Sequence, residues 1–194
     1  MGLRCAIFSV LIFLVYVTVK SQQNQASKII SLGSSLSPTS NPPIFWSSPS
    51  GLFAFGFYTQ HTSFKVGIWL VGNNGNRTIV WTANRDDPPI TCNSTLELTT
   101  SGKLVLRTKE HHGEEKIANI IGSAASASML DSGIFQPIWQ SFDFPTDTIL
   151  EGQILSMGMR LTSHLSDTDH LTGLYEINMQ TDGNLVMYPL ETIV

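Results

Sequence analysis

Ser50-Gly51-Leu52-Phe53-Ala54-Phe55-Gly56-Phe57-Tyr58 reads as a turn that feeds a strand. Phe53, Phe55 and Phe57 fall at every second position, the period at which side chains share one face of an extended chain, and the glycine ahead of them suits a tight turn. The same period returns in Val66, Ile68 and Leu70, in Leu104 and Leu106, and in Leu185 and Met187, while helical spacing is scarce. Strands are therefore expected over 51–58, 64–71, 78–84, 95–99, 103–108, 137–142, 174–180 and 184–190. Turn-forming stretches such as Gly72-Asn73-Asn74-Gly75 and Asp86-Asp87-Pro88-Pro89 separate them. Short strands at roughly 8 to 12 residue spacing indicate an all-β barrel, sandwich or prism.

The opening turn is repeated. A small polar residue, a glycine and a strand recur at Ser50-Gly51-Leu52-Phe53, Ser101-Gly102-Lys103-Leu104, Ser132-Gly133-Ile134-Phe135 and Asp182-Gly183-Asn184-Leu185. Each glycine can take the positive φ of a hairpin turn, so similar antiparallel hairpins are expected around a shared core, with one face of each strand inward and the other in solvent.

Composition narrows the function classes. Of 194 residues, 42% are hydrophobic and only 13% charged, which supplies enough apolar surface for a core and excludes a disordered chain. Eleven basic against fifteen acidic residues give a net charge of −4, which argues against nucleic acid as a partner. The length allows one domain, or one and a fragment. Met1 to Arg4 form a short cationic start, and Cys5 to Val19 carry no charge. Fifteen residues are short for a membrane span, which needs about 20, and the small Val19 and Ser21 suit cleavage after Ser21, so residues 1–21 read as a secretory signal peptide. Nothing later reaches spanning length, and a soluble, secreted or extracellular product is expected, with nine basic and fifteen acidic residues and a net charge of −6. Cys92 is then alone, so no intramolecular disulfide forms. Asn76-Arg77-Thr78 and Asn93-Ser94-Thr95 are acceptor sequons for glycosylation at Asn76 and Asn93.

The chemistry concentrates in Gln180-Thr181-Asp182-Gly183-Asn184-Leu185-Val186-Met187-Tyr188. Alternation puts Gln180, Asp182, Asn184, Val186 and Tyr188 on one face and Thr181, Gly183, Leu185 and Met187 on a second, core-like face. The first set suits a neutral polyol: a carboxylate accepts from hydroxyls, amides and a phenol donate or accept, and a valine offers a flat contact to ring C–H groups.

That run resembles, position for position, the Q-x-D-x-N-x-V-x-Y mannose-binding motif of bulb-type lectins. The resemblance implies contact of Asp182 and Asn184 with the axial hydroxyl of mannose, of Gln180 and Tyr188 with neighbouring hydroxyls, and packing of Val186 on the ring. It also implies a β-prism II fold of three four-stranded sheets without metal or other cofactor. Ser48-Pro49-Ser50-Gly51-Leu52-Phe53-Ala54-Phe55-Gly56-Phe57, Val66-Gly67-Ile68-Trp69, Thr78-Ile79-Val80-Trp81-Thr82-Ala83-Asn84-Arg85 and Trp139-Gln140-Ser141-Phe142-Asp143-Phe144-Pro145-Thr146-Asp147-Thr148 widen the likeness to the lectin region of plant S-locus-type (G-type lectin) receptor-like kinases. On that likeness, residues 28–150 form a bulb-type lectin domain and 151–194 the start of a second, truncated one that holds the intact motif. Mannose-containing glycans or glycoproteins are the implied ligand, bound usefully through a homo- or heterodimer or a multivalent glycan, and no reaction is catalysed. An interaction or decoy subunit of a receptor complex, with decayed sugar sites, is the alternative.

The other copies depart from the motif. Its five positions become Thr99, Ser101, Lys103, Val105 and Arg107 in one, where the pocket is expected to be dead. In another, Phe135 passes straight into Gln136-Pro137-Ile138-Trp139, a shortened strand. The tryptophans, Phe142 and Phe144 read as core rather than sugar platforms. Asp143 and Asp147 sit in a proline-containing turn and do not read as a glycosidase pair. His111-His112-Gly113-Glu114-Glu115 lacks metal-ligand spacing and reads as a solvated loop, and no signature of an enzyme appears.

Overall fold

The computed structural model describes residues 28–39, 44–108, 114–117, 124–136 and 143–190. These residues form fourteen strands and one 3₁₀ turn, Asn73–Gly75, and no α-helix. All strand pairing is antiparallel, in four sheets. The first holds β1 (Ile29–Ser31), β10 (Ser126–Met129) and β11 (Phe135–Gln136). The second is β2 (Ser35–Leu36), β7 (Thr95–Leu98), β8 (Leu104–Arg107) and β9 (Glu114–Lys116). β3 (Phe45–Ser47), β4 (Phe53–Gln60), β5 (Ser63–Val71) and β6 (Arg77–Thr82) make the third, and β12 (Arg160–Ser166), β13 (Asp169–Met179) and β14 (Leu185–Pro189) the fourth. The segment from β1 to β3 donates one edge strand to each of the first three sheets in turn, so a short stretch of chain staples them together.

The alternation of Phe53, Phe55 and Phe57 lands where period two sends it, all three at or below 6% exposure. Residues of the first three sheets share one core: Ile30, Ala127 and Met129 from the first, Leu96, Leu98 and Leu104 from the second, Val66 and Ile68 from the third. Phe55 stacks on Phe135 at 4.0 Å between ring centroids, and Trp46 stacks on both at 6.0 Å, which ties the third sheet to the first. Trp46, Trp69 and Trp81 are buried. Phe144 is not: it is 53% exposed, because it lies in a turn whose carbonyl is held out to the Trp81 Nε1–H at 3.0 Å.

Three of the repeated glycines make one and the same turn. The N–H of Gly102 donates to Thr99 O, that of Gly133 to Leu130 O and that of Gly183 to Gln180 O, each at 2.9–3.1 Å. Each turn is closed by a second bond across the hairpin, from Thr99, Leu130 and Gln180 N–H to Lys103, Ile134 and Asn184 O, with the glycine at φ 76 to 87°. This is a three-residue hairpin loop whose last position is left-handed, which is why glycine recurs there. Gly51 makes a longer variant, closed from Ser48 N–H to Phe53 O.

Several expectations need correction. Leu185 and Met187 are not core: they are 58% and 65% exposed, because among the described residues no second sheet covers that face of β14. Glu114 and Glu115 belong to strand β9, paired with Arg107 and Leu106, rather than to a loop; His111, His112 and Gly113 lie outside the described residues. The expected strand 78–84 stops at Thr82, and Asn84 turns the chain at φ 43°. Strand 174–180 starts earlier, at Asp169. The shortened strand after Gly133 is the two-residue β11; the strand expected at 137–142 and the leader 1–21 lie outside the described residues.

Candidate functional site

The motif strand forms the edge of the fourth sheet. Its partner β13 pairs Met179 with Leu185, Asn178 with Val186, Ile177 with Met187 and Glu176 with Tyr188. Directly paired residues point to the same side, so Val186 and Tyr188 share a face with Asn178 and Glu176, and Gln180 and Asn184, joined by the closing bond of the turn, continue it. Met179, Leu185, Ile177 and Met187 take the opposite face. The fourth sheet is therefore amphipathic, with a polar face and an apolar one.

On the polar face four of the five motif residues hold one another in two pairs, with Val186 between them. Gln180 Nε2 donates to Tyr188 Oη at 2.6 Å, and Asn184 Nδ2 to Asp182 Oδ2 at 2.9 Å. The Asn184 backbone N–H donates to Asp182 Oδ1 at 3.1 Å, and the two Asn184 donors keep the Asp182 carboxyl below its usual range, so it is ionised and fixed in orientation. Gln180 and Val186 are half-buried, while Asp182, Asn184 and Tyr188 are exposed. The result is a shallow, water-facing patch with an oriented carboxylate and carboxamide at the turn and a phenol beyond a valine wall. Sequence reading missed its flank: Arg160 bridges to Glu176 at 3.2 Å beside Tyr188, and Asn178 stands opposite Val186. The signal was available, since Glu176 and Asn178 continue the alternation of Gln180 backwards.

The corresponding copy on the second sheet is closed on itself. Thr99 Oγ1 and Ser101 Oγ lie 2.9 Å apart, Thr99 Oγ1 accepts from the Lys103 N–H at 3.0 Å, Val105 is buried, and Arg107 pairs with Glu97 at 3.1 Å. Asn76 and Asn93 are both exposed and outside strands, and Cys92 is exposed.

A second constellation joins the fourth sheet to the rest. Arg85, its side chain 9% exposed, donates from Nη2 to Asp147 Oδ2 at 2.6 Å, from Nη1 to Thr162 O at 2.9 Å and from Nε to His170 O at 3.1 Å. Asp86 takes the N–H and hydroxyl of Thr172 at 2.9 and 2.7 Å, and Gln60 Nε2 donates to Asp169 Oδ1 at 2.9 Å. Asp147, His164 and His170 bring one ligand atom each within 4.8 Å of one another. The Arg85 guanidinium already neutralises that carboxylate, so a dication there would meet a fixed positive charge. Asp147 is thus a clasp, and its carboxylate is committed to Arg85 and Thr148 rather than free for acid or base work.

The family model described as D-mannose binding lectin matches residues 78–168. The chain is also 38% identical over 183 residues to the G-type lectin S-receptor-like serine/threonine-protein kinase LECRK1 of Oryza sativa subsp. japonica, an alignment that takes in 84% of this chain and 22% of the relative. Residues 78–168 of this chain are a bulb-type lectin region. The lectin is likewise 36% identical over 195 residues to the kinase LECRK2 of the same subspecies (91% of this chain, 23% of the relative) and 36% over 171 residues to At5g24080 of Arabidopsis thaliana (77% and 18%). It spans about a fifth of the length of these relatives. Residue 168 lies before the Gln180 to Tyr188 strand, so that strand stands outside the match to the family model. Among the described residues no helix of the lectin is long and apolar enough to cross a membrane.

Proposed function

We propose that this lectin binds mannose-type glycans outside the cell through Gln180, Asp182, Asn184, Val186 and Tyr188, without catalysing a reaction. The observation that carries the reading is the co-facial placement of these five side chains on the polar face of β14 and its turn, four of them hydrogen-bonded in the pairs Gln180–Tyr188 and Asp182–Asn184. Oriented acceptors and donors beside an apolar wall suit vicinal hydroxyls on a pyranose ring. An exposed site of this kind forms a handful of hydrogen bonds and holds a monosaccharide only at high-micromolar to millimolar Kd, about −4 to −6 kcal/mol, so useful retention needs a multivalent glycan or a paired lectin. Residues 28–150 as one prism-like lectin domain, 151–194 as part of a second, and glycosylation at Asn76 and Asn93 belong to the same reading. Retention of the chain on mannan-agarose, compared with Asp182→Ala and Asn184→Ala, tests it: both variants are expected in the flow-through. Equal retention of parent and variants, or none from folded parent, overturns it.

One observation favours the second reading, an interaction subunit of a receptor complex. Among the described residues nothing covers the apolar face of the fourth sheet, where Leu185 and Met187 are exposed beside Tyr175 at 53%. A surface of that kind suits protein contact rather than sugar.

A further inference from the structure

Where the β4–β5 hairpin tip meets the β12–β13 tip, a cleft of about 350 Å³ opens between the third and fourth sheets. Gln60, His61, Arg77, Asp167, Thr168 and His170 are among its lining residues. Gln60 is the key group. It is 8% exposed, its Nε2 is spent on Asp169, and its Oε1 has no hydrogen-bond partner among the described residues. His170 Nδ1 is buried and likewise without a partner. A carbonyl oxygen can only accept, so what completes Gln60 must bring a donor, and His170 can serve a donor or an acceptor. Arg77 lies over the Trp69 ring at 5.6 Å, and Asp167 on the facing tip offsets its charge, so the cleft as a whole does not ask for an ionic ligand. A volume near the lower end of small-ligand sites, about 300 to 1,000 Å³, lined by alternating donors and acceptors with aromatic edges, matches one or two sugar rings.

We infer that this cleft is a second saccharide site, which takes a neutral hexose or short oligosaccharide whose hydroxyls donate to Gln60 Oε1 and engage His170 and Arg77. For its ligand class the inference rests on the lectin reading. It stands apart from the motif in space: the cleft sits at the Asp169 end of β13 and the motif turn past its Met179 end, roughly 30 Å away along an eleven-residue strand. The two sites are therefore separable in one experiment.

Unglycosylated protein would be titrated with methyl α-mannoside, mannotriose and cellotriose while the Gln60 side-chain amide, the His170 ring and the Asn184 side-chain amide are followed by NMR. At least one of these probes is expected to shift the Gln60 and His170 signals at millimolar concentration in the parent and equally in Asp182→Ala/Asn184→Ala. Arg77→Ala, an exposed position, is expected to weaken that response about tenfold, as loss of one charge-assisted hydrogen bond does, and to leave the Asn184 response alone. Shifts at Asn184 without shifts at Gln60 and His170 overturn the cleft and keep the motif site. Shifts at Gln60 and His170 alone keep the cleft and remove the motif site. Silence at both removes both.

Discussion

Arg85→Met should lower stability substantially, and the reason is a charge rather than a shape. Arg85 and Asp147 are each 9% exposed in their side chains and meet at 2.6 Å, while Nη1 and Nε of the guanidinium donate to Thr162 O and His170 O. Removing the cation leaves a buried carboxylate with only Thr148 Oγ1 at 2.9 Å and His164 Nδ1 at 3.3 Å, together with two carbonyls that lose their donor. Breaking a buried pair from one side costs about 3 to 5 kcal/mol, and the surviving partners place this case near the lower end, about 3. For a protein of this size each kcal/mol moves Tm by about 2 to 4 °C, so a fall of about 6 to 12 °C is expected by calorimetry. The double variant Arg85→Met/Asp147→Leu removes the stranded charge as well and should recover most of the loss, because the cost comes from the uncompensated ion. A single variant that melts with the parent, or a double variant that melts below the single, refutes the clasp.

The turn glycines separate strain from collision. Gly183→Ala meets no atom within 4 Å but must hold φ 87°, at a cost of about 1 to 2 kcal/mol, whereas Gly102→Ala at φ 76° also drives its methyl into the Ala124 backbone and should cost several times more in urea denaturation. Tyr58 gives a pH test. Burial pushes its phenol up to about 12, so the folded protein keeps a proton there that the unfolded chain releases near 10. Stability should therefore fall as pH rises from about 10 toward 12, and spectrophotometric titration should show a phenolate step near 12 that is lost in Tyr58→Phe. Asp182 gives another: Asn184 holds its carboxyl low, so the ionised form persists below the ordinary carboxylate pKa of about 3.9, and retention on mannan should be flat from neutral pH to about 4 and lost only on descent through the depressed value. Loss of retention already near pH 5, with the fold intact by circular dichroism, contradicts that geometry.

What could be read in the sequence follows element length. β4, β5 and β14 are long enough for period two to speak, and they appear within a few residues of expectation. β1, β2, β3 and β11 have two or three residues each, too few for any period, and they form only because edges of the first three sheets are there to receive them. β12 escaped notice for a different reason: its pairing with β13 shifts register twice, between Thr162 and His164 and again before Ser166, so no clean alternation survives. The motif residues were legible as a group because they are local. The Arg85 clasp was not, since Arg85 and Asp147 lie 62 residues apart and nothing in either neighbourhood names the other.

The repeated turn also separates the copy proposed to bind from the copy expected to be dead, though both share a backbone. In each, the residue three before the glycine and the one after it are joined across the hairpin, so their side chains and the one at the tip face the same way. With Gln180, Asp182 and Asn184 in those places the tip presents two carboxamides and a carboxylate, and only part of their capacity is used within the turn. With Thr99, Ser101 and Lys103 the short hydroxyls bond each other and the turn's own N–H, which consumes what they had to offer. The turn sets direction, and the number of lone pairs and N–H groups left over sets whether a sugar has anything to hold. Substituting Thr99→Gln, Ser101→Asp and Lys103→Asn would supply the leftover groups on the second sheet. Arg107→Tyr would complete the set around Val105. That four-residue graft is expected to add a second population of mannan-retained protein to an Asp182→Ala background; if the grafted chain folds and still passes through the column, facing direction and donor count are not enough, and the argument from the turn fails.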